Sequence, residues 1–232
     1  MFNDIKYILT DIEGTTTSVS FVFDELFPYF RNNISELNDL TQNLEVQEAF
    51  EEVKKIVFKE EGLKITSDDQ VLQKLLDWSN ADRKITPLKT LQGILWKTGY
   101  VKGILKGHVY DDVPIVLKEW DKKGLKMAVF SSGSVSAQKL IFGYSTKGDL
   151  TKFFSFYFDT STGTKRESKT YSKIASAIGV LPNQVLFLSD IIQELEAASE
   201  VGMKTIQILR KGTVKGWENT AYDFVEVNKF LG

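Results

Sequence analysis

From Tyr110 to Leu209 the chain alternates short apolar runs with single amphipathic stretches, an order that few folds accept. The spacing predicts helices over 113–123, 134–142, 168–178 and 191–201. Strands are predicted over 125–130, 154–158, 185–188 and 204–209. Asp111, Asp112 and Pro114 open the first helix, and Gly124, Gly179 and Gly202 close three of the four. A helix between two strands returns the chain to the same end of the sheet, so such strands pair in parallel. The expected fold class is therefore α/β, a doubly wound parallel sheet with its chemistry beyond the strands' C-terminal ends.

A first strand is expected at the N-terminus, where Tyr7-Ile8-Leu9-Thr10 runs into Asp11-Ile12-Glu13-Gly14-Thr15-Thr16. Side chains two apart share a face of a strand, so Asp11 and Glu13 can enter one pocket at its end. Two crowded carboxylates are costly unless a metal or a proton joins them. After Thr16 the pattern turns helical. Phe23, Leu26, Phe27 and Phe30 form one stripe, with Pro28 at a helix start or a kink. A second helix covers 44–61, Ser67 caps a third, and Pro87 opens a fourth. Residues 17–100 read as an all-helical insertion between 1–16 and 101–232.

Composition narrows the chemistry. The 232 residues carry a net charge of −2, which steers the chain toward neither nucleic acid nor an anionic membrane. There is no cysteine, which removes disulfides, thiolate metal sites and a cysteine nucleophile. The N-terminal residues lack the basic start and apolar run of a signal peptide, and no stretch of about 18 apolar residues occurs. A cytoplasmic protein is expected, with the nucleus as a second compartment were the source eukaryotic. His108 is the one histidine and no GxSxG turn is present, so His108 is read as a loop or surface residue rather than a catalytic base.

Three more polar clusters lie at or near strand ends: Ser131-Ser132-Gly133-Ser134, Gly163-Thr164-Lys165 and Ser189-Asp190. Each has an ordinary structural use. The serines and Asp190 are common helix caps, Lys165 has Arg166 and Lys169 nearby, and Glu194 suits a surface helix. Their order along one sheet instead suggests phosphoryl transfer. An aspartate such as Asp11 can attack phosphorus and carry the phosphoryl group. Glu13 can protonate the leaving oxygen and then activate water. Ser131 and Ser132, with the amides at a helix start, can bind phosphate oxygens, and Lys165 offsets the anions. Asp190, with Glu194 a turn later, can complete the oxygen shell of a magnesium ion.

In this order the clusters resemble the four motifs of the haloacid dehalogenase superfamily, with the helical insertion in the place of its cap domain. The strings Asp11-Ile12-Glu13-Gly14-Thr15-Thr16-Thr17, Ser20-Phe21-Val22, Leu26-Phe27-Pro28-Tyr29 and Ser131-Ser132-Gly133-Ser134-Val135-Ser136-Ala137-Gln138-Lys139-Leu140 are closer still to the enolase-phosphatases of methionine salvage. Phe142-Gly143-Tyr144-Ser145 and Phe158-Asp159-Thr160 extend the likeness. Glu13 replaces the superfamily's usual second aspartate, a substitution shared with the enolase-phosphatases. The resemblance implies a bifunctional enzyme that enolises 2,3-diketo-5-methylthiopentyl 1-phosphate and then removes its phosphate. It implies catalytic Asp11 and Glu13, substrate-binding Ser131, Ser132 and Lys165, and one magnesium ion on Asp11, Glu13 and Asp190. Whether the Glu13 carboxylate binds the metal or works as acid and base stays open. The implied partner is a small phosphorylated substrate, not nucleic acid or membrane, and the implied state is a monomer. Two rivals keep parts of this picture: a general phosphomonoesterase without an enolase step, and a phosphate-binding protein without turnover.

Overall fold

A computed structural model describes residues 1–231. The chain divides into two compact units, Met1–Phe21 with Lys106–Gly232, and Val22–Leu105. Both junctions lie five residues beyond those expected from the sequence, 16/17 and 100/101. Thr17 and Ser18 are bonded to His108 within the first unit. The amides of Ile104 and Leu105 bond back to the Gly99 carbonyl and so stay with the second.

In chain order the first unit begins with strand β1 (Tyr7–Thr10) and a single helical turn, α1 (Val19–Phe21). The helical unit follows, opening on a π-helical stretch, Val22–Leu26, that runs into α2 (Phe27–Asn33). Leu26 is itself helical, so the run is continuous and Pro28 comes directly after the wide π turn, an irregularity of the kind that accommodates a missing donor inside a helix. A 3-10 stretch over Ile34–Leu40 precedes α3 (Leu44–Glu61), which Gly62 ends in the left-handed conformation at φ +69°. Next come α4 (Asp68–Asn80) and α5 (Thr86–Val101). Ser67 and Gln70 form the reciprocal capping box of α4, which satisfies amides that the first turn leaves unpaired. Phe30, Leu37, Val46, Phe50, Val53, Val71, Leu75, Leu91 and Leu95 form the core of this unit. Each large apolar side chain buried there contributes about 1.5–3 kcal/mol.

The chain then returns for α6 (Asp112–Lys122), β2 (Lys126–Phe130), α7 (Val135–Gly143), β3 (Phe154–Phe158), α8 (Ser168–Ile178) and β4 (Val185–Ser189). It ends with α9 (Ile192–Glu200), β5 (Lys204–Ile208), β6 (Thr220–Ala221) and α10 (Phe224–Val227). The six strands form one parallel sheet in the order β3-β2-β1-β4-β5-β6. Successive crossovers run one way from β1 to β2 and β3, and the other way to β4, β5 and β6. The reversal places a crevice beside the C-terminal end of β1. Leu9, Ala128, Phe130 and Phe187 pack with Tyr171 and Ile174 of α8 on one face. Alternate residues Ile8, Val129 and Leu186 point to the opposite face and are also fully buried, as a two-sided parallel sheet requires. Among the described residues no helix is long and apolar enough to cross a membrane.

Candidate active site

The site grows out of the ends of β1, β2 and β4 and the loop after β3. Asp11 is the first residue past β1, and its amide still bonds to Leu188 of β4 at 2.9 Å. The Ile12 carbonyl then accepts the amides of Thr15, Thr16 and Thr17, which curls the backbone into a tight turn. Gly14 lies in that turn at φ +74°, and a Cβ there would overlap the Asp190 carboxylate. Glycine is required on both counts, conformation and space.

Asp11 is buried and receives two hydrogen bonds on the same oxygen, Oδ1: from the Ile12 amide at 2.7 Å and from Lys165 Nζ at 2.6 Å. Lys165 also donates to Glu194 Oε2 at 2.7 Å, and Ser189 Oγ donates to that same oxygen at 2.9 Å. The Lys165 carbonyl is anchored by the Tyr171 hydroxyl at 2.8 Å. Glu13 takes a different partner. Its Oε2 accepts from Ser131 Oγ at 3.1 Å, and Ser131 Oγ in turn accepts the Gly133 amide at 3.1 Å. Ser132, next in the same loop, is exposed.

The electrostatics follow from these positions. Burial opposes the charge of Lys165, but Asp11 and Glu194 outweigh it and hold the ammonium more basic than usual. Burial, with the charge of Asp11 added, raises Glu13 above the ordinary carboxylate range. The same two causes lift Asp190 to about 7 and Glu194 to about 7. Four carboxylates thus crowd the Lys165 ammonium, and Asp190 Oδ1 is buried without a hydrogen-bond partner. Excess anionic charge with an orphaned buried oxygen suits a divalent cation. Among the described residues, no three acidic or histidine side chains are grouped as metal ligands. The Asp11 and Asp190 carboxylates fit magnesium, an ion that takes one or two carboxylates and fills its shell with water and phosphate.

Every site residue read from the sequence lies at this end of the sheet, but two structural readings change. Asp190 does not cap α9, because the Ile191 amide bonds to Ser189 Oγ instead. Glu194 is not a surface residue; it is 8% exposed and, with Asp11, holds Lys165. Ser134 is the cap that sequence suggests, accepting the Ala137 amide at the start of α7. His108 lies in a loop, as expected; it is half-buried, and its Nδ1 accepts the Ser18 amide at 3.0 Å. Ser189 and Tyr171, which hold Glu194 and Lys165, carry no sequence signal beyond their places on a strand end and a helix.

Comparison with known proteins agrees with this geometry. The sequence profile of the haloacid dehalogenase-like hydrolases matches residues 5–202. Enolase-phosphatase E1 of a Picosynechococcus species is 48% identical over 90% of this chain and 91% of its own. Enolase-phosphatase E1 of Pseudomonas aeruginosa strain LESB58 is 47% identical over 96% and 98%. The crystal structure of the UTR4 protein of Saccharomyces cerevisiae superposes with a TM-score of 0.79 at 33% identity, over 94% of this chain and 98% of that one. An L-2-haloacid dehalogenase, at 16% identity and a TM-score of 0.60, shares the fold. With a parallel sheet, an acidic turn after its first strand and relatives of this closeness over nearly its whole length, the chain belongs to the enolase-phosphatase E1 family of the haloacid dehalogenase-like hydrolases.

Proposed function

We infer that this enzyme enolises 2,3-diketo-5-methylthiopentyl 1-phosphate and hydrolyses the phosphate, giving the acireductone 1,2-dihydroxy-3-keto-5-methylthiopentene of methionine salvage. The observation that carries the phosphatase half is the division of labour between the two acids of the β1 turn. Asp11 is fixed by the Lys165 ammonium at 2.6 Å, whereas burial beside Asp11 pushes Glu13 toward its protonated form. A nucleophile needs its carboxylate oriented, and a proton donor needs its proton.

Both Asp11 bonds fall on Oδ1, so Oδ2 is the oxygen with freedom to attack phosphorus. An aspartyl O–P bond forms as the ester P–O bond breaks, and Glu13 passes its proton to the leaving oxygen. The resulting Glu13 carboxylate takes a proton from water as that water attacks phosphorus. The aspartyl bond breaks, inorganic phosphate leaves, and both acids return to their starting states. Lys165 stays charged throughout and offsets the anions. Ser131 orients Glu13, and Ser131, Ser132 and Lys165 bind the phosphate and its neighbouring oxygens. Magnesium, one ion per chain, would be held by Asp11, Glu13 and Asp190. When bound it neutralises phosphate and enolate charge. The same reading takes the enzyme to be a cytoplasmic monomer acting on a small molecule.

The test is phosphate release from the diketone phosphate with magnesium, beside common phosphomonoesters, while enol and acireductone absorbance are followed. Enol formation and then phosphate release, with release abolished in Asp11→Asn, is the expected result. Release from ordinary esters without an enol signal would leave a general phosphomonoesterase. Binding without release would leave a phosphate-binding protein.

A further inference from the structure

The Gln207 side chain, on β5, is 1% exposed and uses all four hydrogen-bonding positions of its amide. Nε2 donates to the carbonyl of Asp190 at 3.1 Å and to that of Val214 at 3.0 Å. Oε1 accepts the amides of Gly216 at 3.0 Å and Trp217 at 3.1 Å. Two carbonyls on one side and two amides on the other fix the orientation of the group. The segment it gathers is seated against the start of α9, because a Cβ at Gly216 would run into the Ile192 side chain. Trp217 is fastened separately, its indole N–H donating to Thr205 Oγ1 at 3.0 Å. One buried amide therefore joins the Asp190 peptide to a loop whose residues at 214–216 are otherwise exposed.

We propose that Gln207 is a positioning residue of the metal site: its amide locks the Asp190 peptide to the 214–217 loop, so that ion binding at Asp190 and ordering of that loop are coupled. The proposal rests on the reading of Asp190 as a magnesium ligand. Groups that orient a ligand from behind typically cost 10–100-fold in metal affinity when removed. Coupling of this kind is reciprocal, so what orders the loop favours the ion and the ion orders the loop.

The experiment compares wild type with Gln207→Met, which keeps length and neutrality but loses all four bonds. Magnesium affinity is measured on the substrate-free protein by calorimetry and by the rise of Tm on titration, so that turnover plays no part in the readout. The expected result is a magnesium dissociation constant raised about 10-fold or more. A purely structural role lowers Tm of the metal-free protein and leaves that constant unchanged, which would overturn the proposal. Hydrogen exchange at the Gly216 and Trp217 amides of wild type covers the case in which the variant does not fold. Magnesium is expected to slow both, and equal exchange with and without the ion would overturn the coupling. A wild type that binds no magnesium would remove the ligand reading of Asp190 and the proposal with it, whereas binding unaffected by Gln207→Met removes the proposal alone.

Discussion

Lys165 faces two carboxylates that are themselves buried, and this arrangement decides how substitutions there combine. Replacing Lys165 by Met strands Asp11 and Glu194 without a cation, and breaking a buried pair from one side costs about 3–5 kcal/mol. Adding Glu194→Gln removes one of the stranded charges. The double variant is therefore expected to recover about 1 kcal/mol or more against the sum of the singles, measured by urea unfolding in a chelator. Strict additivity would mean that Glu194 and Lys165 do not act as a unit. The sequence makes Asp11 and Asp190 legible because each follows an apolar run at a place where a parallel sheet gathers its chemistry, whereas Lys165, with Arg166 and Lys169 nearby, stands out only by its place in the order of the clusters. It leaves Glu194 undecided between surface and site. A position on a helix says nothing about which loop lies against it, and only the fold brings Lys165 there.

The acidic turn is shaped by its own hydrogen bonds and held from outside by one side chain. Arg210, just past β5, donates from Nε to the Thr15 carbonyl at 3.0 Å. Its two terminal nitrogens pair with both oxygens of Asp112, at 2.9 and 2.8 Å, and its guanidinium lies 4.0 Å from the centre of the Tyr110 ring. Asp112 in turn accepts the Phe224 amide at 2.8 Å, so the turn, α6 and α10 meet at this arginine. Arg210→Met should destabilise the protein by about 3 kcal/mol, since Asp112 is left without its buried partner. It should also lower kcat with little change in KM, because the turn carries the reacting groups. Arg210→Lys should rescue little, since a point charge cannot span the fork and the Thr15 carbonyl together. Unfolding curves and steady-state kinetics of the pair check this, and full rescue by Lys would reduce the role to charge. No reading of the sequence finds that contact, whose partners are 195 positions apart. Helices with explicit end signals were legible nearly to the residue, as the Ser67 cap and Gly179 illustrate. The two-residue β6, the four-residue α10 and the 3-10 stretch at Ile34–Leu40 are too short or too irregular to carry a period.

The two units carry separate cores, and the groups assigned to phosphoryl transfer all belong to the one that contains the sheet. The points where the chain leaves and re-enters that unit are tied to each other. The Tyr110 amide donates to the Thr16 carbonyl at 3.1 Å, the Ser18 amide donates to His108 Nδ1 at 3.0 Å, and the Thr17 hydroxyl bonds to the His108 carbonyl. A short link can therefore join Phe21 to Lys106 without pulling the sheet apart. Loop-closure entropy changes only slowly with the number of residues removed, so the exchange itself costs little. We predict that a chain in which residues 22–105 are replaced by a short Gly-Ser link folds on its own. It should show a single cooperative urea transition and keep a magnesium-dependent rise in Tm, because the carboxylates and Lys165 remain in place. A broad transition with lost near-ultraviolet circular dichroism would instead show that the helical unit completes the fold of the sheet unit. A cooperative transition without the magnesium response would separate the two properties, leaving the sheet self-sufficient and the ion site dependent on residues 22–105.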